Sequence, residues 1–220
     1  MPDQTISLQD IRLFDGIREE DLANMLVCLK GRNRRYHKGE YIFLDQDEVQ
    51  DVGVVLSGMV HMLKEDSQGQ KTLITYMEKG DILGESFAMK EERNSYVSFY
   101  AATDVYMLFL SLEHVLHPCK NNCPFHARLV KNVLQLIGDK NLRLMERIEV
   151  ASKTTLREKI LAYLNMLEAK QGQKYIKVPL NRTEMASYLH SNRSAMSREL
   201  MAMKADGLID YDGNIFVLKK

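Results

Sequence analysis

The chain has 220 residues, 45% hydrophobic and 27% charged, which is typical of a globular protein and excludes a disordered or fibrous chain. Its 30 Lys and Arg balance its 30 Asp and Glu, but these charges are unevenly distributed. Basic residues outnumber acidic ones by 12 to 7 in residues 152–220 and are outnumbered by 18 to 23 in residues 1–151. This asymmetry predicts two modules, the second of which has an anionic partner.

No apolar run approaches the roughly 20 residues that a membrane-spanning helix needs, and the first residues lack a signal-peptide pattern. Three cysteines are too few for a disulfide framework, so we expect a cytoplasmic protein without membrane contact. The sequence also lacks a phosphate-binding Gly-rich loop, a His-Glu-x-x-His motif and a Gly-x-Ser-x-Gly elbow. The carboxylates of Asp81 and Glu85 are explained by turn chemistry, so no enzyme activity is expected.

The first half of the chain predicts a short helix followed by a β-rich domain. Apolar residues recur at helical spacing between Leu22 and Leu29. From about residue 34 to residue 110, short runs of β-branched and aromatic residues alternate with glycine breaks, at Gly39, Gly58, Gly69 and Gly80. Many short strands with regular turn signals are typical of a β-sandwich or β-barrel.

A long helix is predicted between Phe125 and Ala151, because this segment lacks Pro and contains one Gly. Its apolar residues, with one Asn among them, are spaced alternately by four and three: Val130, Leu134, Ile137, Asn141, Leu144 and Ile148. Such a heptad pattern predicts a seam that pairs with a second helix, and a single Asn in a seam fixes the register of a dimer. The alternative is that the seam packs on its own domain.

The last 69 residues predict a winged helix–turn–helix. A helix at Leu156–Leu167 is followed by a strand near Tyr175 and by two helices at about Arg182–Leu189 and Asn192–Lys204. Two apolar runs around Asp212-Gly213-Asn214 then predict a β-hairpin. His190 falls at the turn between the two helices, where a left-handed backbone is expected.

The outer face of the second helix carries the side chains that a recognition helix would place in the major groove of DNA. An Arg bonded to guanine O6 and N7 reads a base, and short hydroxyl side chains suit phosphate oxygens. The candidate DNA-binding residues are Arg182, Thr183, Asn192, Arg193, Ser194, Ser197 and Arg198. The alternative is a solvated polar face on a packing helix.

The segments Arg182–Ala186 and Arg193–Arg198 resemble the helix–turn–helix of the Crp/Fnr family, the relatives of the cyclic-AMP receptor protein. Lys38-Gly39-Glu40 and Gly80-Asp81-Ile82-Leu83-Gly84-Glu85 are similar to the cyclic-nucleotide-binding-like β-roll of that family. The resemblance covers nearly the whole chain. It implies a homodimeric bacterial transcription regulator that binds a pseudo-palindromic DNA site and works with RNA polymerase.

The same resemblance argues against the family's best-known effectors. Cyclic-nucleotide binders carry an Arg-Ser pair eleven residues after the glycine, where this chain has Ser95-Tyr96. A buried phosphate without an Arg partner would be an uncompensated charge, which argues against cyclic AMP. No Cys precedes Cys28, which argues against an N-terminal iron–sulfur cluster. The effector, and therefore any cofactor, stays unidentified. The expected pocket is lined by Gly84, Glu85, Arg93, Ser95, Tyr96, Leu142 and Arg143.

Two thiols and two imidazoles lie within ten positions between the β-rich domain and the long helix. They are His117, Cys119, Cys123 and His126. Cys123 would sit at a helix N-terminus, where the helix dipole stabilises a thiolate, and Cys119 could form a disulfide with it. A soft metal held by these residues is the second hypothesis. A structural turn with buried thiols is the third.

The sequence therefore predicts an α+β protein: an N-terminal double-stranded β-helix (a jelly roll of the cyclic-nucleotide-binding type), a long dimerisation helix and a winged helix–turn–helix. The expected segments are residues 1–118, 119–151 and 152–220. The predicted function is that of a homodimeric, sequence-specific transcription regulator that responds to a redox, metal or small-molecule signal. The alternative is a ligand-binding module whose C-terminal domain contacts protein instead of DNA.

Overall fold

The computed structural model describes residues 7–117 and 125–219. The chain divides into two compact units, residues 1–139 and 140–220. The boundary between them falls inside the long helix, whereas the sequence prediction gave that helix a segment of its own. In the part of the chain that the structure describes, no helix has the length and apolarity required to span a bilayer.

The first unit is built from two four-stranded antiparallel sheets. One has the order β1-β8-β3-β6 and the other the order β2-β7-β4-β5. The strands are β1 (Arg32–Tyr36), β2 (Tyr41–Phe43), β3 (Asp51–Ser57), β4 (Val60–Glu65), β5 (Lys71–Met77), β6 (Ile82–Leu83), β7 (Ser98–Ala101) and β8 (Val105–Ser111). The helices are α1 (Glu19–Cys28), α2 (Glu85–Ala88), α3 (Leu112–Leu116) and the start of α4 (His126–Ala151), after two 3-10 turns at Leu8–Asp10 and Arg12–Phe14.

The core of this unit lies between its two sheets. In the central pair of strands, Val52 of β3 lies opposite Leu110 of β8, and Val54 lies opposite Leu108. All four side chains are buried, together with Phe99 from the other sheet. Runs of β-branched and large apolar residues therefore form strands here because both faces of β3 and β8 are covered.

Gly58 shows why one of the predicted breaks needs glycine. Its backbone is left-handed, with φ of +87°. A Cβ at this position would lie 2.2 Å from the carbonyl oxygen of Asp104, a distance too short for a contact between two non-bonded atoms. The turn between β3 and β4 can therefore hold only a residue without a side chain.

The long helix α4 begins by packing on the first unit. It buries Leu129, Val133 and Leu136, which recur at heptad spacing on one face. Between them, the buried Asn132 side chain donates hydrogen bonds to the carbonyl oxygens of Leu13 and Asp15, both at 2.9 Å. These bonds satisfy the amide and fix the helix against the N-terminal segment.

The second unit contains the end of α4 and a winged helix–turn–helix. Its elements are α5 (Leu156–Gln171), β9 (Ile176–Lys177), α6 (Arg182–Tyr188), α7 (Arg193–Ala205), β10 (Ile209–Asp212) and β11 (Ile215–Leu218). The strands form a sheet in the order β10-β11-β9. Capping boxes start two of the helices, Thr155 with Glu158 in α5 and Asn181 with Glu184 in α6. The predicted fold class, with its β-roll, long helix and winged helix–turn–helix, is confirmed.

Candidate nucleic-acid interface

The turn between α6 and α7 is held by backbone hydrogen bonds. His190 is left-handed, as predicted, with φ of +53°. The amide of Ser191 donates to the carbonyl oxygen of Ala186 at 2.8 Å, which closes the end of α6. Desolvation, with the nearby charges of Arg147 and Lys159, lowers the pKa of His190 below its ordinary value, so its imidazole is neutral at pH 7.

Helix α7 has one buried face and one exposed face. Met196, Leu200 and Met203 are buried against the rest of the unit. Arg193 is exposed in the first turn of the helix, and Arg198 is exposed on the side opposite this stripe. Ser194 is exposed between them, and Ser197 is half-buried. The structure thus brings four of the seven candidate DNA-binding residues onto one surface.

Asn192 has a different environment from the one that the sequence indicated. It is the N-cap of α7, and its side-chain oxygen accepts a hydrogen bond from the amide of Ala195 at 2.8 Å. The same oxygen accepts a bond from the Ser194 hydroxyl at 2.7 Å. Asn192 therefore starts the candidate recognition helix and orients one of its exposed hydroxyl groups.

The one acidic residue of α7, Glu199, and the residue that caps its C-terminus, Asp206, both pair with α5. Arg157 of α5 donates to Glu199 at 2.6 Å and to Asp206 at 2.7 Å, and these hydrogen bonds raise the pKa of the Arg157 guanidinium. A carboxylate near the exposed face would repel DNA phosphates. The pairing with α5 leaves the charge of the exposed face to Arg193 and Arg198.

The other two candidates lie at the start of α6. Thr183 is exposed, and its backbone amide donates to the cap residue Asn181 at 2.9 Å. Arg182 is half-buried, and its Nη2 donates to the carbonyl oxygen of Gly213, in the turn between β10 and β11, at 2.7 Å. The sequence placed Arg182 at the DNA, whereas the structure engages its guanidinium with the chain's own hairpin.

Arg147 is a residue of this unit that the sequence analysis missed. It lies on α4, is 7% exposed, and stacks 3.8 Å from the centre of the Tyr188 ring. Its Nη1 also donates to the carbonyl oxygen of Tyr188 at 2.9 Å, at the last residue of α6. A cation there suits the negative end of a helix. No sequence signal distinguishes this Arg from the other charged residues of the long helix, because its partner is 41 positions away.

The packing of α4 leaves some residues of the predicted dimer seam exposed and partly buries the others. Leu134, Asn141 and Ile148 are exposed, but Val130, Ile137 and Leu144 are half-buried, and Ile137 packs against the core of the first unit. The exposed large apolar side chains of α4 are instead Leu134, Leu142, Met145 and Ile148, each 59–67% exposed. The exposed stripe is rotated from the predicted one because the first unit already covers part of that face.

The predicted effector residues of the first unit are engaged within the chain. Ser95 is fully buried, and its hydroxyl donates to the carbonyl oxygen of Val97 at 2.6 Å. Glu85 is buried, and Gly84 is left-handed, with the carbonyl oxygen of Asp51 2.9 Å from where a Cβ would be. Tyr96 is exposed, with its ring nearly perpendicular to the Phe87 ring and the two ring centres 5.1 Å apart. Arg93 is half-buried. Leu142 and Arg143 belong to the other unit, so their part in a pocket stays a prediction.

A small cavity opens elsewhere in the first unit. It encloses about 100 Å³ and is lined by Arg32, Arg34, Tyr36, Ile42, Phe43, Asp51 and Phe109. Arg32 forms an ion pair with Asp51 at its wall. A cavity of this size holds a few water molecules, and no residue predicted to bind the effector lines it.

The Cys and His cluster can be described only at its ends. Cys119 and Cys123 lie outside the described residues. His117 is exposed, with its Nδ1 3.0 Å from the carbonyl oxygen of Glu113, and His126 is the first residue of α4. Within residues 7–117 and 125–219, no three His, Cys, Asp or Glu side chains are grouped to hold a metal ion.

Each of the two units matches a known domain family. A cyclic nucleotide-binding domain model matches residues 33–122, and a Crp-like helix-turn-helix domain model matches residues 158–220. The transcriptional activator protein FnrL of Cereibacter sphaeroides is 24% identical over an alignment 201 residues long, which covers 84% of this chain and 75% of that protein.

Solved structures share the architecture. The c-di-GMP responsive global regulator CLP of Xanthomonas campestris superposes with a TM-score of 0.74 at 19% identity, over 92% of this chain and all of that one. A CooA variant from Carboxydothermus hydrogenoformans gives a TM-score of 0.69 at 20% identity, over 88% of this chain and 86% of that one. At these identities the similarity concerns the fold alone.

Proposed function

Because the chain belongs to the Crp/Fnr family of transcription regulators, we propose that it binds DNA as a homodimer and places one copy of α7 in the major groove of each half of a pseudo-palindromic operator. The two half-sites would lie about 34 Å apart, one turn of the DNA helix. In this arrangement Arg193 and Arg198 read base edges, and the hydroxyl groups of Ser194 and Ser197 bind phosphate or base edges.

The observation that carries this proposal is the two-faced character of α7. One face is an apolar stripe that anchors the helix, and the other presents two guanidinium groups with hydroxyl groups between them. The one acidic side chain of the same helix, Glu199, forms an ion pair with Arg157 of α5. A merely structural helix has no need to separate its charges in this way.

Dimer formation is supported by the exposed stripe on α4. Four large apolar side chains on one helix remain more than half exposed in the isolated chain, at Leu134, Leu142, Met145 and Ile148. If this helix paired with the same helix of a second copy, these side chains would be buried on both copies. Burial of apolar surface stabilises such a dimer by roughly 25 cal/mol per Å². Asn141, exposed beside the stripe, would fix the register of the pair.

The proposed signal is one other than cyclic AMP. The position expected to hold the phosphate is Ser95-Tyr96, and the Ser95 hydroxyl is already bonded inside the fold. A redox, metal or small-molecule signal, read through the β-roll or through the Cys and His cluster, therefore fits the chain better. Recruitment of RNA polymerase follows from the family and is part of the same proposal.

The test selects duplexes from a random pool with the purified protein and measures the affinity of the best sequence at several salt concentrations. We expect a two-fold symmetric sequence, with an affinity that falls steeply as salt rises. Arg198→Ala should weaken binding of that sequence and relax its base preference, while the exposed Lys170→Ala should change little. A protein that enriches no duplex and pulls down only protein would overturn the proposal.

A further inference from the structure

The guanidinium of Arg182 lies over two aromatic rings of the wing, the hairpin formed by β10 and β11. Its Cζ is 4.8 Å from the centre of the Tyr211 ring on β10 and 4.6 Å from the centre of the Phe216 ring on β11. These two aromatic residues are a cross-strand pair, with ring centres 5.4 Å apart. One side chain of α6 therefore contacts both strands of the wing at once.

The same guanidinium reaches the tip of the wing. Its hydrogen bond to the carbonyl oxygen of Gly213 ends in the turn that joins the strands. The other end of the hairpin is held by Asp210, which pairs with Lys204 at 2.7 Å and with Lys219 at 3.4 Å. The tip also bonds to the residue that follows β9, since the backbone amide of Val178 donates to the backbone carbonyl oxygen of Asn214 at 2.9 Å. Arg182 thus connects the tip to the helix–turn–helix.

The position of Arg182 is unfavourable unless the wing compensates it. It is the first residue of a helix, where the positive end of the helix dipole disfavours a cation. It is half-buried, and desolvation lowers the pKa of its guanidinium. Its hydrogen-bond acceptor is a neutral carbonyl, so two aromatic faces are what stabilise the buried charge.

We propose that Arg182 is a positioning residue that fixes the tip of the wing, Asp212-Gly213-Asn214, against the helix–turn–helix so that the tip meets the DNA backbone in a set orientation. This inference rests on the proposed function, because it assigns the wing a contact with DNA. The tip has no Lys or Arg, and its exposed Asp212 carboxylate interacts electrostatically with Lys204. Its contacts with DNA would therefore be backbone amides and the Asn214 side chain. The role is distinct from that of a phosphate-binding Arg.

Amide hydrogen exchange in the DNA-free protein tests whether Arg182 holds the tip of the wing, a contact that we call the clamp. Arg182→Ala and Arg182→Lys should both speed exchange in the peptide covering Tyr211–Phe216 by about tenfold or more, because Lys cannot reproduce the planar stacking and fork geometry. Arg198→Ala, the matched control on the exposed surface, should leave that peptide unchanged. Equal exchange in wild type and in both Arg182 variants would overturn the proposal, whatever the protein does with DNA.

DNA affinity tests what the clamp is for. Arg182→Lys should weaken operator binding by nearly as much as Arg182→Ala, while the dependence of affinity on salt keeps its wild-type slope. A direct phosphate contact predicts the opposite: Lys would retain most of the affinity, and Ala would reduce the salt slope by about one. That result, or faster exchange with unchanged affinity, would overturn the positioning role. A wild-type protein without any duplex preference would instead remove the proposed function.

A variant on the wing distinguishes loss of the clamp from misfolding of the Arg182 variants. Tyr211→Leu removes one of the two rings while keeping an apolar residue on β10. Its effect on tip exchange should be smaller than that of Arg182→Ala, and the double variant should be no worse than Arg182→Ala alone. Additive effects in the double variant would show that the two residues act independently and would contradict the clamp.

Discussion

The two units of this chain use their polar side chains in opposite ways. In the second unit, α7 leaves Arg193, Ser194 and Arg198 at the surface and pairs its one carboxylate, Glu199, with Arg157 of α5. In the first unit, Ser95 and Glu85, the residues expected to meet an effector, are buried within the fold. The side chains proposed to read DNA are therefore already exposed together in the single chain, whereas two of the residues expected to meet an effector are enclosed in the fold.

The largest expected effect concerns the framework of the first unit. Gly58→Ala should destabilise that unit by about 3 kcal/mol, because the new Cβ would meet the Asp104 carbonyl and the backbone would remain left-handed. Gly80→Ala is the control, since its backbone is also left-handed but no atom lies within 4 Å of the added Cβ. We expect about 1 kcal/mol there. Urea unfolding that gives equal losses would contradict the proposed clash.

The second unit should be most sensitive at Arg147. Replacing Arg147 by Ala removes a hydrogen bond to the Tyr188 carbonyl and a stacked ring, with an expected loss of about 2–3 kcal/mol. Glu146→Gln, on an exposed side of the same helix turn, should change stability little. Chemical unfolding monitored by tyrosine fluorescence of both variants measures the difference. A stability equal to that of wild type in Arg147→Ala would mean that this contact does not hold α6.

The contrast between the units is tested directly by two Arg variants. Arg198→Ala should weaken binding of the selected operator by about 1–3 kcal/mol and relax its base preference. Arg93→Ala, in the first unit, should leave the affinity of the effector-free protein within twofold of wild type. Fluorescence anisotropy with the same duplex measures both. An equal loss in the two variants would remove the distinction between a reading unit and a unit that does not contact DNA.

The smallest expected effect is at His190. In the folded chain its pKa is lowered, so the unfolded chain binds the proton more readily below pH 6.5. Stability from this residue is therefore complete above pH 6.5 and decreases as the pH falls through and below that value. His190→Gly should remove this decrease and relieve about 1 kcal/mol of left-handed strain. Urea unfolding at pH 7.5 and pH 5.5 would contradict this if both proteins lost the same stability.

The second unit was predictable because its signals are local. The caps, the apolar stripe of α7 and the Asp-Gly turn lie within a few residues of the elements they define, and His190 took the expected left-handed backbone. Contacts between distant residues gave no such signal. Arg182 meets a hairpin 31 positions away, and Arg147 meets a carbonyl 41 positions away. Periodicity alone could not show that Leu129, Val133 and Leu136 would pack into the core of the first unit. Their packing rotates the exposed apolar stripe of α4 around the helix axis from its predicted position.

In the proposed complex, two copies of the chain hold two copies of α7 against a two-fold DNA sequence. The most direct measurement combines the mass of the complex on the selected operator, by sedimentation, with a footprint of the contacted bases. We expect two chains per duplex and two sets of contacts about 34 Å apart, related by a two-fold axis. One chain per duplex, or a single contacted half-site, would contradict it.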